Sequence, residues 1–294
     1  LAGWFETYVE AMELNVWTAT EVERGQYDPD KRRWSIETRS SEGRQRTLKP
    51  RHIVMATGVS GIPNLPNDIQ SLANFAGTTV HSEEYTHGTA WQGRKALVLG
   101  TGNSGHDIAQ DLHANGAKVT MIQRSPTMVV NIEPSAQLPY ALYDEGPSLE
   151  DCDLLAAATP LKVLRKTHQL VTEKAKELDK PLLDGLTKAG FALDYGTDNT
   201  GWQFKYLERG GGYYFNVGCS DLIANGQIRL IQYRDIDQFI ASGVKLNHGE
   251  IIDADLLVTA TGYKGQHHLV TRLFGQDVAA RCGPIWGFDE ENQE

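Results

Sequence analysis

One ordered stretch, from Phe75 to Arg124, constrains this chain more than any other. Its centre reads KALVLGTGNSGHDIAQDL and its end reads KVTMIQRSP. The apolar run Ala96 to Leu99 leads into Gly100-Thr101-Gly102-Asn103-Ser104-Gly105. A helix is expected next, from Asp107 to Leu112, and then a second buried strand, Val119 to Gln123. Strand, glycine turn, helix and strand in that order describe an α/β unit built on a parallel sheet.

Each glycine answers a different demand. Gly100 allows the tight turn, Gly102 lets a pyrophosphate approach the backbone, and Gly105 lets the helix pack close to its strand. The helix start then offers free N–H groups and partial positive charge to phosphates. An NAD site places Asp or Glu at the end of the following strand, where it accepts the ribose hydroxyls. This chain has Arg124-Ser125 there. A guanidinium binds a 2′-phosphate with paired hydrogen bonds, whereas a carboxylate repels it. The expected ligand is therefore NADPH rather than NADH.

The 294 residues carry a net charge of −10, which argues against general nucleic-acid binding. Cys152, Cys219 and Cys282 are far apart and form no Cys-x-x-Cys, so a disulfide framework or zinc site is not expected. Cys219 reads as a small core residue. No apolar run approaches the ~18 residues of a membrane span, and no basic-then-apolar start resembles a signal peptide. A cytoplasmic protein without a metal site is expected. The chain opens inside an amphipathic helix, with Leu1, Trp4, Phe5, Tyr8, Val9 and Met12 on one face. Such a face needs a cover, so the chain is expected to start part-way through a domain.

Two similar meanders punctuate the rest. NVWTATEVER, RWSIETR and a short strand near Thr47 lead into HIVMATG, expected as a buried strand from His52 to Gly58. QIRLIQ, IDQFIAS and a turn at Asn247-His248-Gly249 lead into DLLVTATGY, from Asp255 to Tyr263. Both close on Ala-Thr-Gly, a weak internal repeat that suggests two similar dinucleotide-binding domains. Between about 131 and 216 the pattern is helical. Thr159-Pro160 should cap a helix running to about Leu178, and a shorter helix should follow from Pro181. Asp107 is expected on the first turn of its helix, where a carboxylate suits the dipole.

Phe75-x-Gly77-x-x-x-His81-x-x-x-Tyr85 resembles the fingerprint of the flavin-containing monooxygenases, placed as in that family just before the NADPH glycine turn. Gly-x-Gly-Asn-Ser and Ala260-Thr261-Gly262-Tyr263 resemble the same family's motifs. The resemblance implies an α/β protein with two Rossmann-like, three-layer dinucleotide-binding domains, the FAD one incomplete and the NADPH one carrying the helical insertion. Residues 1–90 would be a partial FAD-binding domain and linker. Residues 91–262 would be the NADPH-binding domain, and 263–294 would return to the FAD side. It implies an oxidoreductase that uses NADPH, FAD and O2 to oxygenate a nucleophilic nitrogen or sulfur of a small molecule through a flavin C4a-(hydro)peroxide. Activity of the N,N-dimethylaniline monooxygenase kind would follow. Gly100, Gly102, Asn103, Ser104 and Gly105 would hold the NADPH pyrophosphate, and Arg124 and Ser125 its 2′-phosphate. Val22 would lie against the FAD adenine, and Ala56, Thr57 and Gly58 would close over the FAD side. His81 and Tyr85 would sit in a linker between domains, with no acid–base role.

The family's N-terminal FAD glycine motif and its C-terminal closing region do not occur in this sequence. The chain is accordingly expected to be a fragment of a monooxygenase. A Baeyer–Villiger monooxygenase is one alternative, although its fingerprint usually ends in Trp and here Tyr85-Thr86 stands instead. A pyridine nucleotide-disulfide reductase would need a redox cysteine pair. A non-catalytic NADPH-binding module is the third alternative.

Overall fold

The protein is described by a computed structural model over residues 1–288, so the last six positions of the expected return segment lie outside the described residues. In chain order, helix α1 (Ala2–Ala11) precedes strands β1 (Thr20–Asp28), β2 (Arg33–Ser40), β3 (Gln45–Leu48), β4 (Thr78–His81) and β5 (Lys95–Leu99). Helix α2 (Asn103–Ala114) and strands β6 (Lys118–Gln123) and β7 (Met128–Asn131) follow. Then come α3 (Ala141–Glu145), α4 (Leu149–Ala158), α5 (Leu161–Leu178), α6 (Lys180–Lys188) and α7 (Gly201–Arg209). Strand β8 (Tyr213–Asn216) and helix α8 (Cys219–Ala224) lead to β9 (Arg229–Gln232), β10 (Ile236–Ile240), β11 (Gly243–Leu246), β12 (Ile251–Asp253) and β13 (Leu256–Thr259). Helices α9 (Gln266–Phe274) and α10 (Gln276–Cys282) come last. The described chain divides into two compact units, Leu1–Gly61 with Gly265–Ile285, and Ile62–Lys264 with residues 286–288.

The larger unit is built on a parallel sheet of order β4-β13-β5-β6-β9. The placement of strand β5 explains why its sequence is apolar from Ala96 to Leu99. Ala96 and Val98 face a core shared with Ile108, Ala109 and Leu112 of α2. Leu97 and Leu99 point the other way, into a core shared with Phe239, Val244, Leu246 and Ile252 of the antiparallel β10-β11-β12 meander. Alternate side chains of a strand face opposite ways, so a strand covered on both sides has no place for a polar residue. The result is three layers: helix, parallel sheet and meander. The chain leaves β5 towards β6 on one side while β13 lies on the other. That reversal opens a crevice beyond the strand ends.

Helices α3 to α7 lie between β7 and β8, which pair in parallel. Strand β8 faces two cores. Tyr213 and Phe215 pack with Met128, Val130 and Trp202, while Tyr214 packs into the α2 side. The α6 end is held by the buried Asp179 carboxylate, which accepts from Asn131 N (2.9 Å) and Ser135 Oγ (2.7 Å).

The smaller unit is an antiparallel β1-β2-β3 meander with α9, α10 and α1. A Cβ on Gly25 would meet Ile36 Cδ1 and Phe274 Cε1 at 2.6 Å. Glycine is what lets Phe274 pack against Trp34, with ring centroids 5.3 Å apart. Helix α1 forms as expected, and Trp4 is 60% exposed.

Four expectations need correction. His52 to Gly58 forms no strand, and Val54 is 86% exposed. An apolar run becomes a strand only when a neighbour satisfies its backbone groups, and this segment pairs with none among the described residues. Residues 62–90, assigned above to the first domain and linker, fold with the Gly100 unit. Four-residue β4 joins its sheet, in register with Leu256–Thr259. Thr159 does not cap α5; its hydroxyl donates back to Leu155 O (2.7 Å). Helix α2 starts at Asn103, four residues earlier than expected, which moves Asp107 off its first turn.

Candidate dinucleotide-binding site

Strand β5 delivers the glycine turn to the crevice. Gly100 N–H donates to Ile122 O (3.0 Å) and Ala260 N–H to Leu99 O (2.8 Å), anchoring the turn between β6 and the end of β13. Gly100 has φ +122, and a Cβ there would lie 2.2 Å from Ala260 O. A Cβ on Gly105 would lie 2.2 Å from Gly100 O, so its absence brings α2 onto the strand end. Gly102 is different: nothing lies within 4 Å of where its Cβ would be. Two glycines are required by the fold, and the third keeps open the space a ligand would fill.

Helix α2 begins at this open turn without a side-chain cap. Its first N–H groups are therefore available to an anion. Thr101 and Thr127 share a buried hydroxyl–hydroxyl bond (2.8 Å) that ties the turn to the segment after β6. Asn103 Oδ1 accepts from Phe215 N–H (3.3 Å), and Ser104 is exposed.

Arg124 and Ser125 follow β6, and both are exposed. The guanidinium meets Asp68 Oδ2 at 3.4 Å, a solvent-exposed pair and so a weak one. Open glycine space, uncapped helix start and exposed guanidinium fit a phosphorylated dinucleotide.

Sequence reasoning missed His106. Its imidazole is fully buried and stacked on Tyr214, with centroids 3.9 Å apart and planes 6° apart. Burial pushes its pKa down to about 4, against the opposing effect of the Gly102 and Thr101 backbone bonds. Burial likewise pushes the Tyr214 hydroxyl up to about 12. The Cys219 thiol rises to about 12, through burial and then the nearby Asp107, which makes it an inert core residue. The one available signal was a titratable residue set among Gly105, Ile108 and Ala109, on a helix with a buried face.

The fingerprint residues serve as architecture. A Cβ on Gly77 would lie 2.5 Å from the buried Phe75 ring and 2.7 Å from Asp255 O. His81, at the end of β4, is buried; its Nδ1 accepts from Glu83 N–H (3.2 Å) and its ring meets Tyr263 edge-on at 5.4 Å. Tyr85 donates to Asp111 Oδ2 on α2 (2.6 Å). Burial, and then that bond, push its pKa upward. His81 and Tyr85 thus belong to the body of the larger unit and not to a linker.

The FAD-side candidates lie in the smaller unit. Val22 stands at a register shift in β1 and is 43% exposed. Ala56, Thr57 and Gly58 are exposed, and Gln266 Nε2 donates to Gly58 O (2.8 Å) and Thr57 Oγ1 (3.4 Å). No glycine turn with a helix start, like that at Gly100, occurs among the described residues of this unit.

A family model described as pyridine nucleotide-disulphide oxidoreductase matches residues 1–143. Indole-3-pyruvate monooxygenase YUCCA1 of Oryza sativa subsp. japonica is 28% identical over 268 residues, covering 89% of this chain and 58% of that protein. The "Probable FAD-binding monooxygenase AlmA" of Acinetobacter baylyi is 26% identical over 253 residues, covering 82% of this chain and 48% of that protein. Among solved structures, ε-caprolactone-bound cyclohexanone monooxygenase superposes with a TM-score of 0.63 at 18% identity, over 92% of this chain and 59% of that one. OTEMO in complex with FAD and NADP superposes with a TM-score of 0.64 at 15% identity, over 92% of this chain and 58% of that one. At these identities the structures speak for the fold. The chain spans about half the length of the curated relatives it matches.

Proposed function

We propose that this chain, a member of the class B flavoprotein monooxygenases, supplies the NADPH site of an enzyme that uses FAD and O2 to oxygenate a nucleophilic nitrogen or sulfur of a small molecule. The open space at Gly102, above an uncapped helix start and followed one strand later by Arg124, carries the proposal. The α2 N–H groups and the Gly102 backbone would hold the pyrophosphate, with Asn103 and Ser104 beside it. Arg124 and Ser125 would hold the 2′-phosphate. NADPH supplies a hydride, and the flavin supplies oxygen activation when bound.

The smaller unit would provide part of the FAD side through Val22, Ala56, Thr57 and Gly58. Its described residues include no phosphate-holding turn, so no chemical step is assigned to them. The pattern ending at Tyr85-Thr86 favours a nitrogen or sulfur substrate. A carbonyl substrate is the second reading, and its support is the keto acid in the name of the first relative.

Titration of the chain with NADPH and NADH, before and after Arg124→Ala, tests the cofactor assignment. Equal affinities in the parent would refute it. For chemistry, the chain with added FAD is offered NADPH, O2 and an amine, a sulfide or a ketone. Lactone or ester formation without amine or sulfide oxidation would reverse the substrate assignment. NADPH binding without flavin uptake or oxygen consumption would leave a binding module.

A further inference from the structure

Strand β8 reaches the first turn of α2 twice. Phe215 N–H bonds the Asn103 side chain, and the next residue back, Tyr214, stacks its ring on His106. The imidazole Nδ1 lies 3.2 Å from Gly102 O. A carbonyl only accepts, so Nδ1 carries the proton, and Nε2 is a bare lone pair buried without a partner. Gly102 O also accepts the His106 backbone N–H at 3.1 Å. Both acceptor directions of one carbonyl are thereby taken, at the residue that opens the helix.

Gly102 has no side chain and no neighbour within 4 Å of its Cβ position. Held by the backbone bond alone, its peptide would keep more freedom to tilt, and a ligand would have to order it further on binding. The peptide group is planar and trans, so fixing the Gly102 carbonyl fixes the Asn103 N–H in the opposite direction, out of the helix start.

We propose that His106 is a positioning residue of the phosphate turn: clamped by Tyr214, it holds the Gly102 peptide so that the Asn103 N–H is aimed at a dinucleotide pyrophosphate before the ligand arrives. This rests on the NADPH assignment above. A side chain of the helical insertion thus supports the turn without touching the ligand. The neutral imidazole suits the task, because a second proton on Nε2 would be buried unpaired.

The test compares binding of NADP⁺ and of adenosine 2′-phosphate to the parent chain, His106→Phe and His106→Gln. Phenylalanine keeps a flat ring on Tyr214 but cannot donate, whereas glutamine retains an N–H. His106→Phe should bind NADP⁺ about three- to tenfold more weakly, the worth of one neutral hydrogen bond. Adenosine 2′-phosphate, which reaches Arg124 but carries no pyrophosphate, should bind it unchanged. His106→Gln should return NADP⁺ affinity to within about twofold of the parent. Unchanged NADP⁺ affinity in His106→Phe overturns the proposal. So does an equal loss for both ligands, which a general loosening of the fold would produce. If the parent binds NADP⁺ no more tightly than adenosine 2′-phosphate, the pyrophosphate turn itself is wrong and this role falls with it. Should His106→Phe not fold, Tyr214→Leu removes the clamp and leaves the imidazole. Unchanged NADP⁺ binding there would overturn the proposal equally.

Discussion

Just beyond β6, the guanidinium of Arg124 and the carboxylate of Asp68 face each other at 3.4 Å. The segment that carries Asp68 belongs to the same compact unit as the glycine turn. Under the proposed assignment, a 2′-phosphate at Arg124 would meet a cation that already has an anionic neighbour, and would have to displace or share it.

Removing that competitor should help the ligand. Asp68→Asn should strengthen NADPH binding about two- to fivefold, the range of an exposed ion pair, with NADH binding unchanged. Arg124→Ala should weaken NADPH about ten- to a hundredfold and leave NADH within about twofold. Fluorescence titrations at low and high salt check both. The Asp68→Asn gain should shrink as salt rises.

The glycines should separate folding from binding. Gly105→Ala drives a Cβ to 2.2 Å from Gly100 O, so the backbone must move. A loss of about 1–3 kcal/mol is expected in chemical denaturation. Gly102→Ala meets no protein atom. It should cost under about 1 kcal/mol of stability yet lower NADPH affinity at least tenfold, because its methyl enters the ligand's space. Equal stability losses in the two variants would contradict this division.

Acid should destabilise the larger unit through His106. Its folded pKa of about 4 lies below the ordinary value of 6.5, so the unfolded chain binds the extra proton first. Stability from this group is full above pH 6.5 and declines as pH falls towards 4, by up to about 3 kcal/mol. Burial lowers the pKa of His168 as well, which adds loss of the same sign. Denaturant midpoints at pH 7, 6, 5 and 4.5 should fall less steeply in His106→Phe than in the parent. Parallel curves would refute the assignment.

Tyr85→Phe should test the fingerprint as architecture. It removes the 2.6 Å donation to Asp111 and nothing else. Stability should drop by about 1–3 kcal/mol, as for a bond to a charged group, while NADPH affinity stays within about twofold. A selective loss of NADPH binding at unchanged stability would give Tyr85 a ligand role instead.

Much of the fold was legible because its signals are local. The β5 run, the spacing of Gly100, Gly102 and Gly105, and the return of an apolar strand before Arg124 all express contacts within a few residues of chain. The helix ending at Leu178 was legible for the same reason. His52 to Gly58 misled because apolar composition does not name a pairing partner, and β4 was missed because Thr78–His81 is too short to show a period. His106 was invisible as a site residue because its stacking partner lies 108 positions away, at Tyr214.

Local sequence encodes the strand–turn–helix–strand unit and the cationic residue after it. Each depends on steric demands of single backbone positions and on alternating burial along single strands. Long-range packing sets Asp68 against Arg124, adds β4 to the sheet beside β13, and stacks Tyr214 on His106 under the Gly102 carbonyl. Those contacts join distant segments, and packing selects them by shape and hydrogen-bond satisfaction across the whole unit, which no local pattern encodes.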